Sequence, residues 1–134
     1  YDNEAFYVPE GFEEENLRRA VIQAYKLFAR NYLTARTYEI ARMMGLKPSA
    51  VKVNSAKTRW GSCSSRGSVN YTWYAVMADR DAADYIIIHE LCHMRHMNHS
   101  AAFWAEVRKW CPEYERMKDE LKEVWREIQG ERWD

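Results

Sequence analysis

The chain has 134 residues, of which 47% are hydrophobic and 30% are charged, a composition typical of one folded domain. Twenty basic residues balance twenty acidic ones, so the overall charge gives no indication of nucleic-acid binding. The apolar runs, such as residues 85–88, are too short for a membrane span or signal peptide. Three cysteines at unrelated spacings argue against a disulfide framework.

These features predict a cytoplasmic protein with no membrane partner. The chain begins at Tyr1 rather than at a methionine, which indicates a fragment or processed form that lacks an upstream segment. The oligomeric state stays open.

The first part of the chain predicts two helices. Acidic residues 13–15 precede apolar residues at a helical spacing, which predicts an amphipathic helix as far as about Leu33. A second, shorter helix is expected to begin with Thr37 as its N-cap and to end at Gly45, because glycine often follows the last helical turn. We interpret this second helix as scaffold.

A β-hairpin is predicted after these helices. Apolar and polar residues alternate in "VKVNSAKTRW" (51–60), and "SVNYTW" (68–73) is rich in strand formers. The segment "GSCSSRG" (61–67) between them supplies turn residues. We expect an edge strand, through "TRWGSC" or "SVNYTW", to bind an extended substrate backbone. Trp60 and Trp73 are interpreted as core aromatic residues.

Helices fill the rest of the predicted α+β fold. Asp79 is the expected N-cap of a central, buried helix over residues 80–96, and Ser100 is the expected N-cap of the next one. The charged stretch 113–129 predicts a last, more exposed helix. Two apolar residues at i and i+4 are expected to dock it, Leu121 and Trp125.

The segment "HELCH" at residues 89–93 carries the strongest chemical signal. His89 and His93 lie at i and i+4, so both imidazoles share one helical face and can hold one metal ion. Glu90 lies one step around the helix, outside the first coordination shell but within reach of a water bound to the metal. This HExxH pattern is typical of zinc peptidases.

A catalytic zinc site usually has a third protein ligand. His96 shares the helical face but lies about 10 Å along the axis from His89. We expect the helix to end near Met97 and Asn98 to turn the chain back in a left-handed conformation, so that His99 becomes the third ligand. His96 would then lie at the rim. Four other residues remain alternative ligands, although both cysteines are interpreted as buried thiols: Cys63, Cys92, Glu106 and Glu113.

Two blocks, "TRWGSCSSRGSVNYTW" and "DYIIIHELCHMRHMNHSAAFW", resemble the YgjP-like metallopeptidases, relatives of the SprT-like and WLM zinc peptidases. The resemblance covers residues 38–125. It implies a zincin-like single domain over 1–134, with Zn²⁺ held by His89, His93 and His99 and with Glu90 as the catalytic glutamate. It leaves the physiological substrate undefined.

The predicted reaction is hydrolysis of a peptide or protein substrate. Glu90 would take the proton of a zinc-bound water as that water attacks the peptide carbonyl. The group that stabilises the oxyanion stays open among five candidates: Arg59, Tyr71, Tyr74, His96 and Tyr114. Two alternative functions are a non-catalytic zinc-stabilised binding module and a deformylase-like zinc amidohydrolase that uses Cys63 as a ligand.

Overall fold

The computed structural model describes residues 14–130. Within them lie four α-helices, a short 3₁₀ helix and three strands, which confirms the predicted α+β class. None of these helices is long and apolar enough to cross a membrane. The elements are α1 (Glu14–Met44), β1 (Ala50–Asn54), β2 (Gly61–Cys63), β3 (Ser68–Thr72), the 3₁₀ helix (Trp73–Met77), α2 (Arg80–Cys92), α3 (Ala101–Trp110) and α4 (Tyr114–Gly130).

Helix α1 is continuous, so the prediction of two separate helices is wrong. Thr37 is not an N-cap: it is fully buried, and its hydroxyl donates to the Leu33 carbonyl at 2.6 Å. This bond to the preceding turn lets a threonine sit inside a helix. The predicted end is confirmed by Gly45, whose φ of 75° suits glycine. Glu13, part of the predicted acidic start, lies outside the described residues.

The strands form a three-stranded mixed sheet in the order β1-β3-β2. Strand β3 pairs in parallel with β1 and antiparallel with β2. A hairpin is therefore present, but its first arm is β2, at residues that the sequence assigned to the turn. Because β3 is paired on both sides, the expectation that "SVNYTW" offers a free edge is wrong. Strand β2 lies at the edge.

Side-chain hydrogen bonds explain where these strands begin and end. Strand β1 stops at Asn54, whose side-chain oxygen accepts from the Ala56 N–H at 3.0 Å and so turns the chain. The β2–β3 turn is closed by Ser64, whose hydroxyl accepts from the N–H of Ser68 at 3.1 Å. Gly67 adopts a positive φ of 83° in the same turn. The turn after Asn54 interrupts the strand that was predicted over 51–60.

Helix α2 lies at the centre, in contact with α1, α3, α4, β2 and the 3₁₀ helix. Its predicted N-cap is confirmed, because the Asp79 side chain accepts from the Ala82 N–H at 3.0 Å. The three consecutive isoleucines at 86–88 are all buried within this helix. Burial on several sides explains why residues of high β-propensity occur in a helix here.

The two C-terminal helices close the domain over α2. The N-cap of α3 is Ser100, as predicted, and its hydroxyl accepts from the Phe103 N–H at 3.2 Å. On α4, Leu121 is buried and Trp125 packs against Trp60 with ring centroids 4.4 Å apart. This aromatic contact joins the segment before β2 to α4.

Candidate active site

Three imidazoles converge at the C-terminal end of α2. The Nε2 atom of His99 lies 3.2 Å from Nε2 of His93 and 3.4 Å from Nε2 of His89, and one ring nitrogen from each residue lies within 4.8 Å of the others. A metal ion held tetrahedrally by nitrogens at 2.0–2.1 Å separates its ligands by about 3.3 Å. The three residues therefore fit a metal ion.

The second ring nitrogens of His89 and His93 have partners, and the partner of His93 sets its tautomer. Nδ1 of His93 lies 3.0 Å from the His96 carbonyl oxygen, which can only accept, so this nitrogen carries the hydrogen. Nδ1 of His89 lies 3.3 Å from the Tyr85 hydroxyl. In the neutral ring of His93, the Nε2 lone pair is thus free and directed at the cluster, as a metal ligand requires.

Tyr85 is a site residue that the sequence reasoning missed. Its position four residues before His89 is the signal that could have revealed it, because i and i+4 side chains meet on a helix. The pKa of its hydroxyl is raised, mainly by burial, so it remains a neutral partner for the imidazole.

The chain reaches His99 by a different route from the predicted one. Helix α2 ends at Cys92, four residues before the predicted end. The N–H groups of His93, Met94 and Arg95 bond to carbonyls three residues earlier, so the last turn tightens into 3₁₀ geometry. The left-handed conformation expected at Asn98 is wrong, since no non-glycine residue among those described has a positive φ.

A buried aromatic ring supports all three imidazoles. Phe103 on α3 is fully buried; His93 stacks on it at 4.5 Å between ring centroids. His89 and His99 each meet the same ring nearly edge-on at 5.0 Å. The ring of Phe103 therefore contacts every imidazole of the histidine cluster.

Glu90 is buried beside the cluster, with 6% of its surface exposed. Burial raises the pKa of its carboxyl to about 7, and the charge of Arg59 acts in the opposite direction. Strand β2 passes directly against it: a Cβ placed on Gly61 would lie 3.0 Å from Glu90 Cγ and 2.7 Å from the Asn70 carbonyl oxygen. Only glycine fits here without movement of its neighbours.

Gly61 is a second residue that the sequence reasoning missed, because it was assigned to a turn. A glycine in a strand often marks the close approach of another group. That signal was present at position 61, but it did not say which group approaches.

The other predicted ligands lie outside the histidine cluster. Nε2 of His96 is 3.0 Å from a Glu106 carboxylate oxygen, and Arg95 also pairs with Glu106. Burial raises the pKa of the Cys63 thiol to about 11 and that of Cys92 to about 12, so both stay protonated and bind metal poorly. His96 and Glu106 are therefore engaged with each other, and both cysteines are neutral thiols.

Two further candidates, at positions 113 and 114, have other partners. Glu113 accepts from Arg116 at 3.0 Å. Tyr114 is buried and stacks on Trp104 with centroids 5.2 Å apart.

The remaining oxyanion candidates differ in their access to the site. The Tyr71 hydroxyl is fully buried and hydrogen-bonded to Thr37 at 3.0 Å. Tyr74 is buried against Trp73, with ring centroids 4.2 Å apart. Neither lines the cavity that contains Glu90, whereas Arg59 does.

This cavity of about 690 Å³ lies between β2 and α4 and reaches Glu90 and His89; we call it the β2–α4 cleft. Its position gives an extended molecule access to both the carboxylate and the histidine cluster. The lining residues are Arg59, Trp60, Gly61, Tyr85, Ile86, His89, Glu90, Lys118, Leu121, Lys122, Trp125, Arg126 and Gln129.

Comparison with known proteins identifies the class of this fold and site. The crystal structure of the metallopeptidase zymogen of Pyrococcus abyssi abylysin is similar, with a TM-score of 0.60 and 24% sequence identity over 72% of this chain and 95% of that chain. The family model of the YgjP-like metallopeptidase domain matches residues 1–124. The chain therefore belongs to the YgjP-like metallopeptidase family. No curated protein matches it.

Proposed function

We propose that the chain is a zinc-dependent peptidase in which His89, His93 and His99 hold Zn²⁺ and Glu90 is the general base. The observation that best supports this proposal is the spacing of the three Nε2 atoms. Nε2 of His99 lies 3.2 Å from that of His93 and 3.4 Å from that of His89, and the buried carboxylate of Glu90 lies beside them. Three neutral imidazoles with an open fourth position are a donor set that suits catalytic zinc.

When bound, zinc would polarise the peptide carbonyl and make a water at its open position more acidic. The Glu90 carboxylate accepts a proton from the attacking water and then donates it to the departing amine. Burial raises the pKa of the Glu90 carboxyl, which makes the carboxylate a better proton acceptor for this step. The products are a free carboxyl and a free amine.

Strand β2 is the proposed binding edge for the substrate backbone. It is an edge strand, and Gly61 brings it into contact with Glu90. An extended peptide that pairs with β2 would therefore carry its backbone past the catalytic carboxylate. Of the candidates for stabilising the oxyanion, Arg59 lies in the same cleft, and we assign that role to it.

The test is metal content together with substrate cleavage by the purified chain. We expect about one zinc per molecule and chelator-sensitive cleavage of an unfolded protein. Bound zinc without cleavage of any peptide would favour the binding module. Deformylation of formyl-methionyl peptides, with loss of metal in Cys63→Ser, would favour the deformylase-like alternative.

A further inference from the structure

Positive charge is concentrated in the β2–α4 cleft although the chain has no net charge. Lys118, Lys122 and Arg126 recur every four residues on α4, which places them on one helical face. All three line the cleft, and Arg59 adds a fourth cation. Each of these three residues of α4 is followed by an acidic one that does not line the cleft: Asp119, Glu123 and Glu127.

Most of this charge is available to a ligand. Within residues 14–130, no ion pair joins Arg59, Lys118 or Lys122 to a carboxylate, whereas Arg126 pairs with Glu123 on the helix surface. Lys118 lies 4.8 Å from the centre of the Trp104 ring, and that ring stacks on His99 with centroids 5.8 Å apart. The row of cations therefore begins beside the histidine cluster and continues along α4.

The rest of the cleft is mainly apolar. Trp60 and Trp125 meet there at 4.4 Å with their ring planes inclined by 60°, and Leu121 and Ile86 also line it. Glu90 is the only carboxylate among the lining residues. An aromatic surface bordered by cations favours a ligand that has both apolar and anionic groups.

We propose that the β2–α4 cleft selects peptides with acidic side chains next to the scissile bond, and that Lys122 and Arg126 determine this specificity. This inference rests on the proposed peptidase function. A cleft of about 690 Å³ holds a few residues of an extended chain, and the continuous phosphate backbone of a nucleic acid would need a longer basic track. Acidic peptide side chains match both the size and the charge.

Two fluorescent peptides of one sequence test the inference, one with glutamates beside the scissile bond and one with glutamines. Fluorescence anisotropy measures their binding to zinc-loaded Glu90→Gln, which does not consume them. One exposed charge pair raises the affinity by up to about fivefold. With two cations, Lys122 and Arg126, we expect the glutamate peptide to bind about tenfold more tightly than the glutamine peptide. High salt should remove the difference.

Charge reversal tests whether residues of α4 cause the preference for the glutamate peptide. The double substitution Lys122→Glu and Arg126→Glu should abolish or invert the preference. Lys47→Glu is the matched control, since Lys47 is exposed and does not line the cleft, and it should leave the preference unchanged. Circular dichroism verifies that each variant is folded. Equal binding of the two peptides, or tighter binding of a single-stranded DNA oligonucleotide of similar length, would overturn the inference.

Hydrolysis of the same two peptides separates this inference from the proposed function. If the wild type cleaves both peptides at equal rates and Glu90→Gln cleaves neither, the peptidase function stands and the acidic selectivity is wrong. If the glutamate peptide binds selectively but zinc-loaded wild type cleaves no peptide, the selectivity of the cleft stands and the peptidase function is contradicted.

Discussion

The side chains of His96 and His99 have different partners although they lie three residues apart. Nε2 of His99 faces His93 at 3.2 Å, whereas Nε2 of His96 faces Glu106 at 3.0 Å. His96 contacts the cluster through its backbone carbonyl, which accepts from His93. A substitution at 96 can therefore preserve that contact, while one at 99 removes a ring nitrogen from the cluster.

His99→Ala should severely weaken zinc binding and abolish hydrolysis, because two imidazoles would remain. His96→Ala should keep zinc and change activity by at most the roughly 10–100-fold typical of groups that orient ligands. Elemental analysis of the two purified variants measures the difference. Loss of zinc from His96→Ala with retention in His99→Ala would show that the ligand assignment is wrong.

The i and i+4 spacing was enough to predict that His89 and His93 meet. His99 does join them, although the argument against His96 assumed a longer helix than α2, which ends at Cys92. The manner of the turn could not be predicted, because the choice between a left-handed Asn98 and a tightened 3₁₀ end depends on tertiary contacts. The pairing of Glu106 with Arg95 and His96 is one such contact.

At the scale of elements, the contact between β2 and α2 positions Glu90. A side chain at position 61 would meet the Asn70 backbone at 2.7 Å and Glu90 Cγ at 3.0 Å, and a backbone atom of a paired strand cannot move easily. The carboxylate of Glu90, which we propose to be catalytic, therefore lies close to the proposed binding edge because Gly61 has no side chain.

Gly61→Ala should therefore lower hydrolysis, by roughly 10²-fold if Glu90 shifts by about 1 Å, while zinc stays bound. Activity and metal content measured on the same sample test this. Gly130→Ala is the matched control, because no atom lies within 4 Å of the added Cβ. Full activity in Gly61→Ala would show that β2 does not constrain Glu90.

The carboxyl groups of Asp79, the N-cap of α2, and Glu120 on α4 interact with each other. Asp79 raises the pKa of Glu120, and the pKa of Asp79 itself is lowered, first by the Ala82 N–H. Arg116 partly offsets the rise and Asp81 adds to it. With a folded pKa above its unfolded value, Glu120 contributes stability at low pH that is lost as the pH rises through the folded pKa.

Glu120→Gln should remove this loss. We expect the variant to be more stable than the wild type at neutral pH, with a difference that shrinks as the pH falls below the ordinary range of glutamate. Chemical denaturation at several pH values measures it. A constant difference, or one that grows in acid, would contradict the proposed coupling of the two carboxyls.

The three α-helices that follow the sheet were predictable from the sequence, whereas the strand boundaries were not. The caps Asp79 and Ser100 act locally, so their positions were predictable from neighbouring residues. The alternation over 51–60 continues past the turn at Asn54, and "GSC" has weak strand propensity by itself. Strand β2 forms because β3 supplies hydrogen-bond partners, which a single sequence does not reveal.

For the whole molecule, the histidine cluster joins the end of α2 to the segment before α3. A metal ion there would cross-link parts of the chain that otherwise meet through the Phe103 contacts and the ion pairs of Glu106. Metal binding and folding should therefore be coupled.

Removal of the metal should lower the melting temperature. A ligand present at about 100 times its Kd stabilises the folded state by about 2.7 kcal/mol, which for a domain of this size corresponds to about 10 °C. Thermal denaturation with and without a strong chelator measures the shift. His99→Ala is the control, and its Tm should not respond to the chelator. An equal Tm for wild type with and without chelator would contradict the coupling.

The most direct test of the proposed peptidase is Glu90→Gln, which retains the size of the side chain and removes its ability to accept a proton. Zinc content and the rate of peptide hydrolysis are measured on one preparation. Zinc should stay near one per molecule while the rate falls by at least about 10²-fold, or roughly 2.7 kcal/mol of transition-state stabilisation. An unchanged rate with zinc bound would contradict the role of Glu90 as general base.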